Sequence, residues 1–233
     1  MKKINLKGML CSLKPGNYFR ELSVVIVGVF ITLAATNFIS ETSQEKQIKE
    51  TMLMIKMELT ENLEEINKAE AEYLHEIAFF QLLWEKQDSI RSIKASVLEE
   101  NTNTPFSAYD LTYSEDALEV LKASALMQQI ADKRFILKLL QAYKLCRVIK
   151  RENDFYYKYK EQRMDRYWNR SIDEVEKRKY SEDVYGSWER MLATKEFQTM
   201  VNVTPNTFSE NPFAVPQIKI KEVIQLINKK YAE

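Results

Sequence analysis

Glycine is scarce in this chain: 4 of 233 residues, alongside 5 Pro, 2 Cys and a single His. A typical protein carries roughly 7% Gly, so the shortage speaks against the tight turns of a β-sandwich or barrel and against a Gly-rich phosphate loop. One histidine excludes a multi-His metal site. Charge of either sign is not in excess, with 34 Lys and Arg balanced by 34 Asp and Glu, while a hydrophobic content of 45% argues against global disorder. The length fits one domain, or a domain with an appendage.

What the chain does contain starts with an uncharged run, LSVVIVGVFITLAATNFIS, from Leu22 to Ser40. As a helix it spans about 28 Å, close to the hydrocarbon thickness of a bilayer. Lys2, Lys3, Lys7, Lys14 and Arg20 precede it with only Glu21 opposing. The positive-inside rule therefore predicts an inner-membrane span at 22–40, a basic cytoplasmic tail at 1–21 and a periplasmic remainder. The neutral total is then a sum over two compartments, because the residues beyond 21 carry a mild acidic excess. Thr32-Leu33-Ala34 resembles a signal-peptidase site, but apolar residues continue through Phe38-Ile39, which favours an uncleaved anchor. Cys11 lies upstream of the apolar run, where a lipoprotein cysteine does not occur. Gly28, Thr32, Thr36 and Ser40 recur every fourth residue and, with Asn37, form a small, weakly polar stripe suited to helix packing in the membrane.

After the span the apolar period is helical. Ile48, Met52, Ile55, Leu59, Leu63, Ile66, Tyr73, Ile77, Phe80 and Trp84 are mostly three or four residues apart. The pattern predicts one helix from about 18 to 98, continuous with the anchor, its 41–98 portion amphipathic and coiled-coil-like. Residues 99–113 read as a loop. The expectation for 114–233 is an antiparallel helical bundle packed on the long helix: a helix from Ser114 through Ile130, a long one capped by Asp132, a shorter one capped by Ser187, and a last one holding Ile218 to Tyr231. Pro205, Pro212 and Pro216 enclose the loop before it. The predicted fold class is thus all-α.

Candidate chemistry is sparse. His75 has no second His and no Cys near it, and Glu61, Glu64, Glu65 and Glu72 lack the paired Glu-x-x-His pattern of a di-metal bundle. No cofactor and no catalytic site is expected. Cys146 falls at an apolar helix position, as a small buried residue would; the alternative is a bridge between two copies in an oxidising compartment. The most distinctive stretch is 144–170, where nine Lys or Arg face four Asp or Glu. Lys144, Arg147, Lys150, Arg151, Lys158, Lys160, Arg163, Arg166 and Arg170 interleave there with Phe155, Tyr156, Tyr157, Tyr159, Tyr167 and Trp168. Such a surface would attract an anionic glycan, lipid headgroup or acidic protein. The inferred compartment excludes nucleic acid. The alternative is that the rings pack sideways on the bundle beneath Lys and Arg stems.

Glu21-Leu22, Val27-Gly28-Val29 and Asn37-Phe38 in the span, then Leu121-Lys122-Ala123-Ser124, Ile130-Ala131-Asp132 and Leu140 to Tyr143, together resemble a family of single-pass, Bacteroidota-type membrane proteins. The departures are Arg20, Phe38, Ala125 and Lys144, which stand where that family usually has Gly, Trp, Gly and Tyr. The resemblance implies the anchor and a helical ectodomain, and brings no activity with it. Residue inventory and resemblance lead to one expectation: a non-enzymatic, membrane-anchored helical interaction or scaffold module that self-associates or docks onto an envelope protein. The alternative expectation is a ligand-sensing ectodomain that signals through a separate partner, since a tail of about twenty residues has no room for an output domain.

Overall fold

The structure is a computed structural model that describes the backbone of residues 15–175, 180–208 and 210–231, with side chains from residue 42 on and not those of 169–175. The chain divides into two compact units, Met1–Glu50 and Thr51–Glu233. It is all-α, with no strand among the described residues. In the first unit residues 15–50 are helical. Among the described residues no helix is long and apolar enough to cross a membrane; the side chains of 22–40, where the span is expected, lie outside them.

Helix α1, Pro15–Glu85, supplies the first wall of the second unit from Thr51 on. Its apolar positions Met52, Ile55, Leu59, Ile66, Tyr73, Phe80 and Leu83 are buried, as the helical period requires. The helix stops at Glu85, short of the predicted 98. Residues 86–89, Lys-Gln-Asp-Ser, form a turn in which Gln87 Nε2 donates to the Trp84 carbonyl. A 3₁₀ turn at Ile90–Ser92 and the short α2, Ala95–Glu100, follow. Ile90, Ile93 and Leu98 keep the spacing of a continued helix, but they are buried from this bent path.

The helix predicted from Ser114 through Ile130 is two, α3 (Asp116–Ala123) and α4 (Leu126–Gln129). They break at Ala125, whose φ of 57° is left-handed. Glycine adopts that conformation without the penalty a Cβ brings. Helix α5, Lys133–Val175, begins where the sequence placed it: the Phe135 amide donates to Asp132 Oδ1 at 2.9 Å. Ser187 caps nothing. Asp183 caps α6, Val184–Leu192, and Thr194 caps α7, Lys195–Val203. Gly186 is irreplaceable in this turn, because a Cβ on it would lie 1.9 Å from the Ser181 carbonyl oxygen. Pro216 falls in the first turn of α8, Ala214–Tyr231, where no intrahelical amide bond is lost.

The two long helices, whose relative direction the sequence leaves open, run parallel in the second unit. Glu58 meets Tyr143 and, further along both helices, Glu76 meets Tyr156 and Lys160. The chain returns from the top of α1 to the bottom of α5 through residues 101–115, which pass down both helices in extended and turn conformations. A parallel pair needs such a crossover, and here an irregular segment provides it. Antiparallel packing is found for α8 on α5, through Lys138–Glu222 and Lys230–Asp132, both at 2.6 Å.

Candidate functional site

The descending segment 101–115 exposes backbone groups that no helix satisfies, and polar side chains of α1 and α5 meet them. On α1, Asn62 exchanges two hydrogen bonds with the Ser114 backbone, at 2.8 and 2.9 Å. Glu58 accepts from the Ser114 hydroxyl at 2.7 Å and from the Ala117 amide at 2.9 Å, and so caps α3 from another element. Tyr109 donates to Glu65 at 3.1 Å, and His75 is hydrogen-bonded to Asn101 at 2.9 Å. On α5, Asn153 donates to the Tyr109 carbonyl at 2.8 Å and Lys160 to the Thr104 carbonyl at 2.9 Å. Arg147 pairs with Glu115, and Lys150 bridges Asp110 and Asp154 at 2.7 and 2.8 Å.

At the upper end lies a buried ion pair. Lys160 Nζ is 2.6 Å from Glu76 Oε2, and the two side chains are only 3% and 4% exposed. Tyr156 donates to the other Glu76 oxygen at 2.7 Å. The ammonium also lies 4.9 Å from the centre of the Tyr157 ring. Burial pushes the Glu76 carboxyl up, against the pull of Lys160 and Tyr156, and pushes the Lys160 amine down, against the pull of Glu76. Burial, followed by the Glu76 charge, raises Tyr156. Every charged atom of the pair has a partner, the condition under which a buried pair is tolerated.

Outside this clamp an open groove of about 580 Å³ runs between the segment and one face of α5. Pro105, Phe106 and Asp110 stand on one side; Tyr157, Lys160, Glu161, Met164, Asp165 and Trp168 recur at helical spacing on the other. Phe106 and Trp168 are about half exposed, at 47% and 50%, yet lie against each other with ring centres 6.0 Å apart. Behind the segment is a smaller cavity of about 70 Å³ beside Glu72, His75 and Glu76.

The basic and aromatic residues singled out in 144–170 do not share one face. Tyr156, Lys160 and Tyr167 are buried. Arg147 and Lys150 are held by acids of the descending segment, Arg151 pairs with its neighbour Glu152, and Arg163 lies over the Tyr159 ring at 4.2 Å. Lys144, Lys158 and Arg166 are exposed, Lys158 on the groove and Arg166 on a second cleft with Arg163 and Lys195. Trp168 is on the groove. The side chain of Arg170 lies outside the described residues, as do those of Gly28, Thr32, Thr36, Asn37 and Ser40, whose backbones belong to α1. Cys146 is buried and free, its thiol pushed up to about 12 by burial. Among the described residues no three His, Cys, Asp or Glu are grouped to hold a metal ion.

Glu58, Glu76 and Lys160 were missed as partners of the core, although the signal was present. Each is a charged residue at an apolar register position: Glu58 beside Ile55 and Leu59, Glu76 between Tyr73 and Phe80, Lys160 midway between Tyr156 and Met164. Compared with known proteins, the chain matches no family model, no curated protein and no solved structure.

Proposed function

We propose that this chain is a non-catalytic, membrane-anchored helical module that works by binding. The apolar run 22–40 anchors it in the inner membrane with its N-terminus in the cytoplasm, and Thr51–Glu233 faces the periplasm as a helical bundle presented to an envelope partner or to a second copy. The observation that carries this reading is the groove at Phe106 and Trp168: two large rings half exposed on facing walls, one on α5 and one on an irregular segment tied to α1 and α5 by partly buried polar contacts. Aromatic groups held out on a rigid frame are what recognition surfaces concentrate.

A photo-cross-linking phenylalanine at position 106 of the full chain in its native membrane tests the reading. The expected result is a discrete adduct that is absent when the probe stands at exposed Leu137 and disappears on Trp168→Ala. The same pattern from both positions, or no adduct from either, would overturn it. A C-terminal reporter active only in the periplasm tests the topology separately.

The second reading, a ligand-sensing ectodomain, is supported by the volume and lining of the same groove. Its approximately 580 Å³ lies in the range of small-molecule sites, which pair aromatic walls with a few placed polar groups.

A further inference from the structure

The groove's charges are unequal in what they leave over. Four carboxylates line it, from Asp110, Asp154, Glu161 and Asp165, against the ammonium groups of Lys158 and Lys160. Lys160 is already neutralised by Glu76 in the clamp beneath. Asp110 and Asp154 are already shared by Lys150. Glu161 and Asp165 take part in no ion pair among the described residues, and only Lys158 opposes them.

These two carboxylates are four residues apart on α5, and Trp168 is three residues beyond Asp165. All three therefore lie on one stripe of the helix, with Phe106 closing against Trp168 from the other wall. An aromatic shelf flanked by unpaired carboxylates favours one kind of guest. A ring face attracts a cation through its quadrupole, and the carboxylates supply the counter-charge without the long-range repulsion that an anionic guest would meet.

We infer that the groove binds a small organic cation, an ammonium carrying an apolar body, with the charged head between Glu161 and Asp165 and the body on the Phe106–Trp168 shelf. This rests on the ligand-sensing reading of the groove and names its ligand class. The acidic excess of the chain beyond residue 21 acts in the same sense, raising the local concentration of cations.

The test uses the full chain in a maltoside detergent, which has no choline headgroup to compete, with benzyltrimethylammonium as the probe and calorimetry or saturation-transfer NMR as the readout. Saturable binding is expected, with benzenesulfonate, of the same shape and opposite charge, failing to bind. Trp168→Ala should weaken the cation about fivefold or more, the effect of losing one cation–ring contact. Glu161→Gln combined with Asp165→Asn should weaken it comparably and reduce its dependence on salt. Phe155→Ala, an exposed ring on α5 outside the groove, should change nothing. Glu161 and Asp165 are exposed and their substitutions isosteric, so the carboxylate variant keeps the test valid if Trp168→Ala unfolds. The inference is overturned by an absence of saturable cation binding, by equal binding of the sulfonate, or by affinity unchanged in the carboxylate variant. If position 106 still yields its discrete adduct while no cation binds, the binding module stands and the ligand class alone is wrong.

Discussion

Between Glu58 and Glu76 helices α1 and α5 are joined through buried polar side chains and the segment 101–115. Beyond Phe79 the same two helices close on an apolar cluster of Phe79, Phe80, Leu83, Met164 and Tyr167, completed by Ile90, Ile93 and Leu98 of the bent stretch after α1, by Trp188 and Leu192 of α6 and by Phe197, Met200 and Val201 of α7. The difference follows the type of neighbour. At that end the short stretch 86–100 takes only the Tyr185 hydroxyl on the Ile93 carbonyl and the Trp188 indole N–H on the Leu98 carbonyl, while α6 and α7 satisfy their own backbones and otherwise offer apolar side chains. The descending segment does not satisfy its own, and the carbonyls of Thr104 and Tyr109, together with the amides of Ser114 and Ala117, must find partners. Lys160, Asn153, Asn62 and Glu58 are those partners. Polar residues in this core are therefore a consequence of packing helices against irregular chain.

The comparison can be broken at either end. In the apolar half, Phe80→Ala should cost about 3–5 kcal/mol, the usual loss for a fully buried ring, read as a lowered denaturant midpoint. In the polar half, Lys160→Met should cost a similar amount, about 3–5 kcal/mol, because it leaves the Glu76 carboxylate buried without its counter-charge. The sharpening comes from the double variant: adding Glu76→Leu to Lys160→Met should return most of that loss, whereas a second apolar truncation in the cluster should deepen it. A double variant as unstable as Lys160→Met alone would show that the pair is not what the polar half depends on.

Smaller changes discriminate further. Tyr143→Phe removes one donor from Glu58 while Ser114 and Ala117 remain, so about 1–3 kcal/mol should be lost. Ala125→Gly belongs to neither half. Relief of the left-handed φ, set against the extra freedom of an unfolded glycine, should leave a gain of about 0.5–1 kcal/mol. A loss there would contradict the backbone break between α3 and α4.

The all-helical class, the Asp132 cap and the last helix were legible because each is written in adjacent residues, as a period or a capping side chain, although Pro216, expected in the loop, stands inside the first turn of α8. The end of α1 was not, since Ile90, Ile93 and Leu98 continue the apolar spacing across a turn that contains neither Gly nor Pro. The parallel pairing of α1 and α5 was out of reach for a different reason. Its determinants join residues about 80 positions apart, as in Tyr156 to Glu76, and periodicity carries no information on register between distant helices. Of the groove, Trp168 and Lys158 were visible in the basic and aromatic stretch. Phe106 was read only as part of a loop, because what makes it half of a site is the descent of that loop beside α5.

The crossover between two parallel helices also sets an order of assembly. In an up-and-down bundle each helix can zip onto its predecessor as soon as a short turn closes, and nearly all contacts are local. Here α5 has no place to dock until residues 101–115 have come back along α1, so loops of about 50 to 85 residues must close before the buried pairs to Glu58 and Glu76 contribute anything. Chains dominated by such distant pairings reach the native state more slowly than helical hairpins of equal stability. The half-formed molecule, with α1 already emerged and α5 not yet seated, would expose the row from Met52 to Leu83 during synthesis. That interval, more than the finished bundle, is where this sequence is most open to misassembly.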